Sequence, residues 1–168
     1  GGTMRRKDRQ ITDFEARRIL EASRVGRIGV STADGPYVVP VLYLYSPEDN
    51  SIYIHSSTKG LKMEAVSRDP RVCFEVDELR KVVVGKEVCK CTAEYESVIV
   101  FGKASIVEGD QKTEILQRLS WKYGAETGQI SPMDPSILGE TAVIRIVADQ
   151  MTGKANPPTS RTLTEGRD

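Results

Sequence analysis

The middle of the chain, from Tyr37 to Lys62, reads YVVPVLYLYSPEDNSIYIHSSTKGLK. Its first part, Tyr37–Tyr45, is rich in β-branched and aromatic residues and predicts a long strand. Ser46–Asn50 contains Pro, Asp and Asn and predicts a turn, and Ser51–His55 predicts a second, shorter strand. Two strands joined by such a turn form an antiparallel pair, so this region favours an antiparallel sheet.

Strands of the same kind lie on both sides of this pair, and helical segments are interspersed without the regular alternation of a parallel βαβ sheet. We therefore predict a mainly β fold, a six-stranded antiparallel barrel with flanking α-helices. Three helices are predicted: one from the capping box Thr12–Glu15 to Ser23, one over Lys59–Arg68 and one over Gln111–Tyr123. The other predicted strands are Arg24–Ser31, Arg71–Val76, Glu94–Glu108 and Thr141–Ala148. A loop is predicted over Ala125–Gly139.

Three side-chain expectations follow from these elements. Phe14, Ile19 and Leu20 are placed to face a core from the first helix. Gly102 interrupts a long strand and predicts a bend or bulge. Trp121 lies off the apolar stripe of its helix, which predicts either that it points away from its own core or that the helix is packed on two sides, and both options indicate a subunit contact.

Length and composition limit the class of protein. The chain has 168 residues, of which 39% are hydrophobic and 29% charged, with 24 basic and 24 acidic side chains. This composition excludes a disordered chain, and the absence of a basic excess argues against nucleic acid as a partner. The apolar runs are far shorter than the roughly 20 residues that cross a bilayer, so we expect no membrane association.

One domain is expected, with a short addition at each end. Gly1–Thr3 is interpreted as a vector-derived remnant before a native Met4, residues 4–154 as the folded domain and residues 155–168 as a frayed tail. No secretion signal is visible. The three cysteines, Cys73, Cys89 and Cys91, are therefore interpreted as reduced thiols of a cytoplasmic protein.

The segment from His55 to Lys62 is the strongest candidate for a binding site. A strand ends in hydroxyl residues that include Ser56 and Ser57, and a helix then begins with Lys59, Gly60 and Lys62. Free backbone N–H groups at a helix start, added hydroxyls and lysine charges together suit a phosphate monoester. The alternative is an ordinary Ser/Thr cap followed by solvated lysines.

His55 is the only histidine of the chain. It fits a ligand contact, a general acid or an axial metal ligand, and equally a histidine that is merely hydrogen-bonded at a strand end. No second histidine is present, and the Cys89–Cys91 spacing is not that of a usual zinc pair, so no metal site is predicted. No residue pattern places a nucleophile beside His55, and no catalytic residue is assigned.

The strand Tyr37–Tyr43 is apolar on both faces and needs a cover on its outer side, which a helix, a second subunit or a flat ligand can supply. Pro40 lacks a backbone donor, which predicts that the strand is an edge or is irregular there. An apolar wall and a phosphate site together favour a flat cofactor with a phosphorylated tail.

The sequence resembles the pyridoxamine 5′-phosphate oxidase-like superfamily of FMN-binding proteins, and most closely its nitroimidazole-resistance branch. The segments that carry the resemblance are, in order, Met4–Arg9, Gly35–Val41, Ile52–Ser57 with Gly60 and Lys62, Asp69–Phe74, Tyr95–Gly102, and Val143–Ile146 with Met151–Lys154.

The resemblance implies a split β-barrel that forms a homodimer with FMN at the subunit interface. His55, Ser56 and Lys62 would hold the FMN phosphate, with Ser57, Lys59 and Gly60 beside it. On the neighbouring strand, the residues that would line the isoalloxazine ring are Val39, Pro40 and Val41.

The resemblance also implies a flavin-dependent oxidoreductase of the nitroreductase or pyridoxamine-phosphate-oxidase type that acts on a small molecule, with NADH or NADPH as an electron donor. The alternative is a noncatalytic module that binds FMN or haem. Fold analogy does not choose between these activities.

Overall fold

The computed structural model describes residues 6–85, 91–124 and 135–157, and within them six antiparallel strands form one closed ring. The order around the ring is β1-β2-β3-β6-β5-β4, and β4 pairs back onto β1. The fold is therefore mainly β, as the sequence predicted. The strands are β1 (Val25–Thr32), β2 (Gly35–Ser46), β3 (Ser51–Ser57), β4 (Arg71–Val83), β5 (Thr92–Val107) and β6 (Thr141–Asn156).

Within the described ranges, four α-helices flank the ring: α1 (Asp13–Ala22), α2 (Leu61–Arg68), α3 (Gly109–Gly124) and α4 (Pro135–Glu140). The predicted capping box of α1 is present. The Glu15 N–H donates to the Thr12 hydroxyl at 3.2 Å, and the Thr12 N–H donates to the Glu15 carboxylate at 2.8 Å. Two donors that a helix start leaves free are thereby satisfied, which fixes where α1 begins.

Apolar side chains on the inner faces of the strands fill the ring. Helices α1 and α2 lie at the two ends of the ring. Helix α1 leads directly into the start of β1, and Arg68 of α2 donates to the carbonyl of Ser31 near the end of β1. Helix α3 lies outside and covers a second apolar cluster. Fully buried residues of the main cluster are Leu20, Ile28, Tyr43, Ile52, Ile54, Phe74, Val76, Val98, Val100, Ile144 and Ile146.

Although the strands form a closed ring, β2 and β3 pair along only part of their length. These strands pair only from Tyr43 to Ser46 on β2, opposite Ser51–Ile54 on β3. Before Tyr43, β2 pairs with β1 alone, and beyond Ile54, β3 pairs with β6 alone. Pro40 lies in the part of β2 that pairs with β1 alone, which confirms the prediction that the strand is an edge there. We call this opening the β2–β3 split.

Gly102 marks an irregularity in β5, as predicted. The register of β5 against β6 shifts between Phe101 and Gly102. A Cβ at Gly102 would lie 2.3 Å from the carbonyl oxygen of Val147, so the two strands approach too closely for any side chain here.

Several predicted boundaries were wrong. The last strand does not end at Ala148 but continues to Asn156, and residues 155–156, assigned to a frayed tail, are paired with β5. β4 extends past Val76 to Val83, and residues 135–139 of the predicted loop belong to helix α4 (Pro135–Glu140). The remaining loop residues 125–134, Cys89, residues 1–5 and the tail beyond residue 157 lie outside the described residues.

Phe14 does not face the core, contrary to expectation. Its side chain is 69% exposed, whereas Ile19 and Leu20 are buried as predicted. The buried stripe of α1 is completed by Ala16, and Phe14 lies on the far side of the helix from that stripe. Trp121 is 65% exposed, in agreement with the prediction that it points away from its core. No helix within the described residues is long and apolar enough to cross a bilayer.

Candidate functional site

The start of α2 forms the centre of the candidate site. Its N-cap is Gly60, which has a φ of 113° that side-chain-bearing residues rarely adopt and which supplies no side-chain acceptor. The Glu64 N–H bonds to the Gly60 carbonyl at 3.1 Å and closes the first turn. The backbone N–H groups before it, those of Leu61, Lys62 and Met63, therefore point out of the helix without a capping side chain.

The loop that leads into α2 is fixed by hydrogen bonds on both sides. The Lys59 N–H donates to the Ser57 hydroxyl at 3.3 Å, and the Thr58 N–H donates to the carbonyl of Glu140 at 3.2 Å. Before the loop, the ladder between β3 and β6 continues through Ser57 and Thr141. The hydroxyl residues and the helix start are thus held in one arrangement.

Two nitrogen bases lie together at this loop. Desolvation lowers the pKa of the half-buried Lys62, and desolvation together with the nearby Lys62 charge lowers the pKa of His55. Among the described residues, no carboxylate contributes to either shift. A positive charge that is partly removed from water and lacks an acidic partner favours an external anion.

Across the β2–β3 split, β2 presents apolar side chains. Val39 and Val41 are partly buried and pack against the main core cluster, as does Met63 of α2. Pro40, which alternates with them, is exposed on the outer side. The split is therefore bordered by an apolar strand on one side and by the His55–Ser57 segment on the other.

The free edge of β2 also presents backbone groups to the split. The Tyr43 N–H donates to the Tyr123 hydroxyl at 2.9 Å, and that hydroxyl lies 2.7 Å from the Arg24 carbonyl oxygen, on the β1 side. Because successive strand residues direct their backbone groups to opposite sides, those of Leu42 and Pro40 point towards the split. Pro40 therefore costs the β1–β2 ladder no hydrogen bond, and its carbonyl faces the split, where β2 does not pair with β3.

The structure places the predicted site residues on the two sides of the β2–β3 split. His55, Ser56 and Ser57 end β3, and Lys59, Gly60 and Lys62 form the loop and helix start that follow. The residues on β2 that border the same split are Val39, Pro40 and Val41.

Sequence reasoning missed two contributions to this region. The Glu140 carbonyl anchors the loop from α4, a helix inside the segment predicted to be a loop. Tyr123 was predicted only as a residue of the apolar stripe of its helix. Its hydroxyl also accepts from the Tyr43 N–H and donates to the Arg24 carbonyl, just beyond the last residue pair of β1 and β2. A tyrosine at the end of an apolar stripe was the only available signal for this second role.

Cysteine and metal chemistry find no support within the described residues. Cys73 is partly buried on the outer face of β4, Cys91 is exposed and Cys89 is not among the described residues. In the part of the chain that the structure describes, no three His, Cys, Asp or Glu side chains are arranged to hold a metal ion.

Comparison with known proteins identifies the family. A profile of the pyridoxamine 5′-phosphate oxidase family matches residues 12–155, which include the candidate site, β1 to β5 and all of β6 except its last residue. The chain belongs to the pyridoxamine 5′-phosphate oxidase family, which confirms the resemblance predicted from its sequence motifs.

Three solved structures illustrate the similarity. A candidate 5-nitroimidazole antibiotic resistance protein from Bacteroides thetaiotaomicron is 28% identical, with coverage of 86% of this chain and 85% of that chain and a TM-score of 0.73. An FAD-binding protein from Mesorhizobium loti is also 28% identical, with coverage of 86% and 95% and a TM-score of 0.61. The flavocytochrome Anf3 from Azotobacter vinelandii, at 21% identity, shares the fold with a TM-score of 0.80 and coverage of 91% and 72%.

Proposed function

We propose that the protein binds FMN at the β2–β3 split and acts as a flavin-dependent oxidoreductase on a small molecule. The observation that carries the proposal is the uncapped start of α2, with Lys62 and His55 beside it, next to the unpaired edge of β2. These features provide separate places for a phosphate and for a flat ring.

The phosphate end rests on donor chemistry. Backbone N–H groups of the first turn of α2 and the positive end of its dipole favour an anion, and the hydroxyls of Ser56 and Ser57 lie in the preceding segment. Lys62 supplies a charge that partial burial makes costly without a counter-ion. A terminal phosphate monoester, as in FMN, can accept from several of these donors at once.

The ring end rests on the border formed by β2. Val39 and Val41 offer apolar surface, while the edge residues Pro40 and Leu42 offer a carbonyl acceptor and an N–H donor for the polar edge of a heteroaromatic ring. When bound, a flavin supplies hydride and single-electron transfer. The residues of this chain bind and orient it, and the apolar border limits access of water to the ring.

The relatives support a flavin more broadly than FMN. The Mesorhizobium loti protein is FAD-binding, and the Azotobacter vinelandii protein is a flavocytochrome, so FAD and haem are the competing ligands. Of the three ligands, FMN is the one that ends in a phosphate monoester, and the donors of the helix start together with the Lys62 charge suit such a group.

A homodimer of split barrels is part of the proposal. On the outer face of the sheet, Val38 on β2 and Phe101 on β5 lie in one row, and Gly29 on β1 and the partly buried Cys73 on β4 lie between them. Val38 is 63% exposed and Phe101 51% exposed. An apolar sheet face of this extent is typical of an interface, and a second copy of the chain is the expected cover.

One experiment tests the cofactor and the activity in sequence. The purified protein, reconstituted with an equimolar mixture of FMN, FAD and haem and then desalted, is expected to retain FMN, identified by chromatography after heat release. Anaerobic addition of NADH or NADPH is then expected to bleach the flavin absorbance, and an acceptor such as a nitroaromatic compound or oxygen to restore it. Retention of FAD or haem instead would contradict FMN binding, and a bound flavin that no donor reduces would favour the noncatalytic module.

A further inference from the structure

Helix α4 lies directly before β6 and contacts the loop that leads into α2. The carbonyl of its last residue, Glu140, accepts a hydrogen bond from the Thr58 N–H at 3.2 Å. The next residue, Thr141, forms the end pair of the β3–β6 ladder with Ser57. The end of α4 and the start of β6 therefore hold the loop between β3 and α2 together.

Helix α4 is too short to be stable by itself. It has six residues, and isolated helices shorter than roughly 12 residues are marginal in water. Contacts with other elements must therefore fix its position. One such contact is apolar, because Leu138 packs against the second apolar cluster, which α3 covers. Another is polar, because the Nζ of Lys112 on α3 donates to the Leu138 carbonyl at 2.7 Å.

The two hydrogen bonds to α4 both use its last turn. The last four carbonyls of an α-helix have no partner within the helix, so those of Leu138 and Glu140 can accept from other elements. A lysine ammonium is a favourable donor at this position, because its charge also complements the negative end of the helix dipole. One turn of α4 thus joins Lys112 of α3 to the Thr58 N–H of the loop, through carbonyls two residues apart.

We infer that Lys112 is a positioning residue of the anion site at the start of α2: it fixes the last turn of α4, and α4 fixes the loop. The inference rests on the proposed function only in naming the FMN phosphate as the anion. Without the Lys112 bond, the Glu140 carbonyl is free to move, and the Thr58 N–H loses a fixed acceptor. A ligand that binds the loop then bears the cost of ordering it, which weakens binding.

Amide hydrogen exchange of the apoprotein, followed by NMR, tests the link without any ligand. Lys112→Met keeps an unbranched side chain but removes the donor, and it is expected to speed exchange of the Thr58 N–H about five-fold or more. Exchange of the Asp69 N–H, which is bonded to the Ala65 carbonyl at the other end of α2, is expected to change less than about two-fold. Lys112→Arg retains a charged donor and is expected to behave like the parent protein.

Titration with FMN and riboflavin tests the consequence for binding. Lys112→Met is expected to weaken FMN binding about three- to ten-fold and riboflavin binding less than about two-fold, because the loop holds the phosphate end of the ligand. Lys112→Arg is expected to restore most of the FMN affinity. Lys103→Met removes the same charge at an exposed position of β5, and we expect both affinities to stay unchanged there.

Unchanged exchange of the Thr58 N–H in Lys112→Met would overturn the inference. An equal rise in the exchange of Thr58 and Asp69 would overturn it as well, because the effect would then be a general loss of stability. Equal losses of FMN and riboflavin affinity would show that Lys112 does not position the phosphate site. If the parent protein binds neither ligand, the proposed function fails, and the exchange of the Thr58 N–H still decides whether Lys112 holds the loop.

Discussion

Lys62 is the residue on which the proposed phosphate site depends most. It is half-buried at the first turn of α2, and the pKa of its ammonium group is lowered by desolvation. If Lys62 makes a charge-assisted bond to the FMN phosphate, Lys62→Ala is expected to weaken FMN binding by about 1.5–3 kcal/mol. Quenching of FMN fluorescence during titration measures this. Lys59→Ala, at an exposed position of the same loop, is the matched control, and we expect a smaller loss there.

His55 gives the apoprotein a specific dependence of stability on pH. Its pKa is lowered from the ordinary value of 6.5 in the folded protein, first by desolvation and then by the Lys62 charge. Below about pH 6.5 the unfolded chain therefore binds the proton more readily than the folded one, and the stabilising contribution of neutral His55 is lost as pH falls. Urea midpoints at pH 7.5 and 5.0 are expected to differ more in the parent than in His55→Gln. An equal difference in both proteins would contradict the lowered pKa.

At the residue scale, local chemistry was predictable and orientation was less so. The grouping of His55, the hydroxyl residues and Lys62 follows from their adjacency in sequence, so it could be predicted directly. Phe14 was assigned to the core because it is apolar, but the neighbouring Ala16 completes the buried stripe instead. Because alanine is only weakly hydrophobic, there was little sign in the sequence that Ala16 belongs to the buried stripe, and Phe14 was predicted to face the core instead.

At the scale of the elements, the geometry of the α2 start rests on Gly60. A side chain at a φ of 113° is strained even where space is open, and no atom lies within 4 Å of a Cβ built at this position. Gly60→Ala is expected to cost about 1–3 kcal/mol of stability and also to weaken FMN binding, because the donor groups of the first turn shift.

Gly109→Ala is the matched control for that prediction. Gly109 also has a positive φ, 64°, and open space around it, but it begins α3 rather than α2. We expect a loss of stability there with unchanged FMN affinity. Equal effects of the two substitutions on FMN affinity would show that the start of α2 has no special role in binding.

The pair β2–β3 and the helix α2 were predicted well, whereas the second half of β6 was not. The pair β2–β3 and the helix α2 follow from local turn and periodicity signals. The second half of β6 is a strand because it pairs along β5 as far as Tyr95, opposite Asn156. Periodicity within one segment does not report such a distant partner, so the predicted strand was eight residues too short.

At the scale of the whole molecule, the exposed outer face of the sheet predicts a homodimer. Light scattering at micromolar concentration is expected to give about 37 kDa, twice the chain mass of 18.6 kDa. Val38→Glu and Phe101→Glu place a charge on this face and are expected to shift the mass towards that of the monomer.

Phe14→Glu is the control for that prediction, because Phe14 is equally exposed but lies on α1, away from the sheet face. It is expected to leave the mass of the dimer unchanged. A measured mass of 18.6 kDa for the parent protein would contradict the homodimer. A dimer whose mass is unchanged by both Val38→Glu and Phe101→Glu would contradict an interface on this face of the sheet.

The central claim is that the start of α2 holds the terminal phosphate of FMN, and comparing FMN with riboflavin tests it most directly. The two ligands share the ring system and differ only in the phosphate. Isothermal titration of the parent protein and of Lys62→Ala with both ligands gives the coupling between Lys62 and that phosphate. We expect FMN to bind the parent at least ten-fold more tightly than riboflavin, and the difference to shrink markedly in Lys62→Ala. Equal affinities of the parent for FMN and riboflavin would contradict the claim.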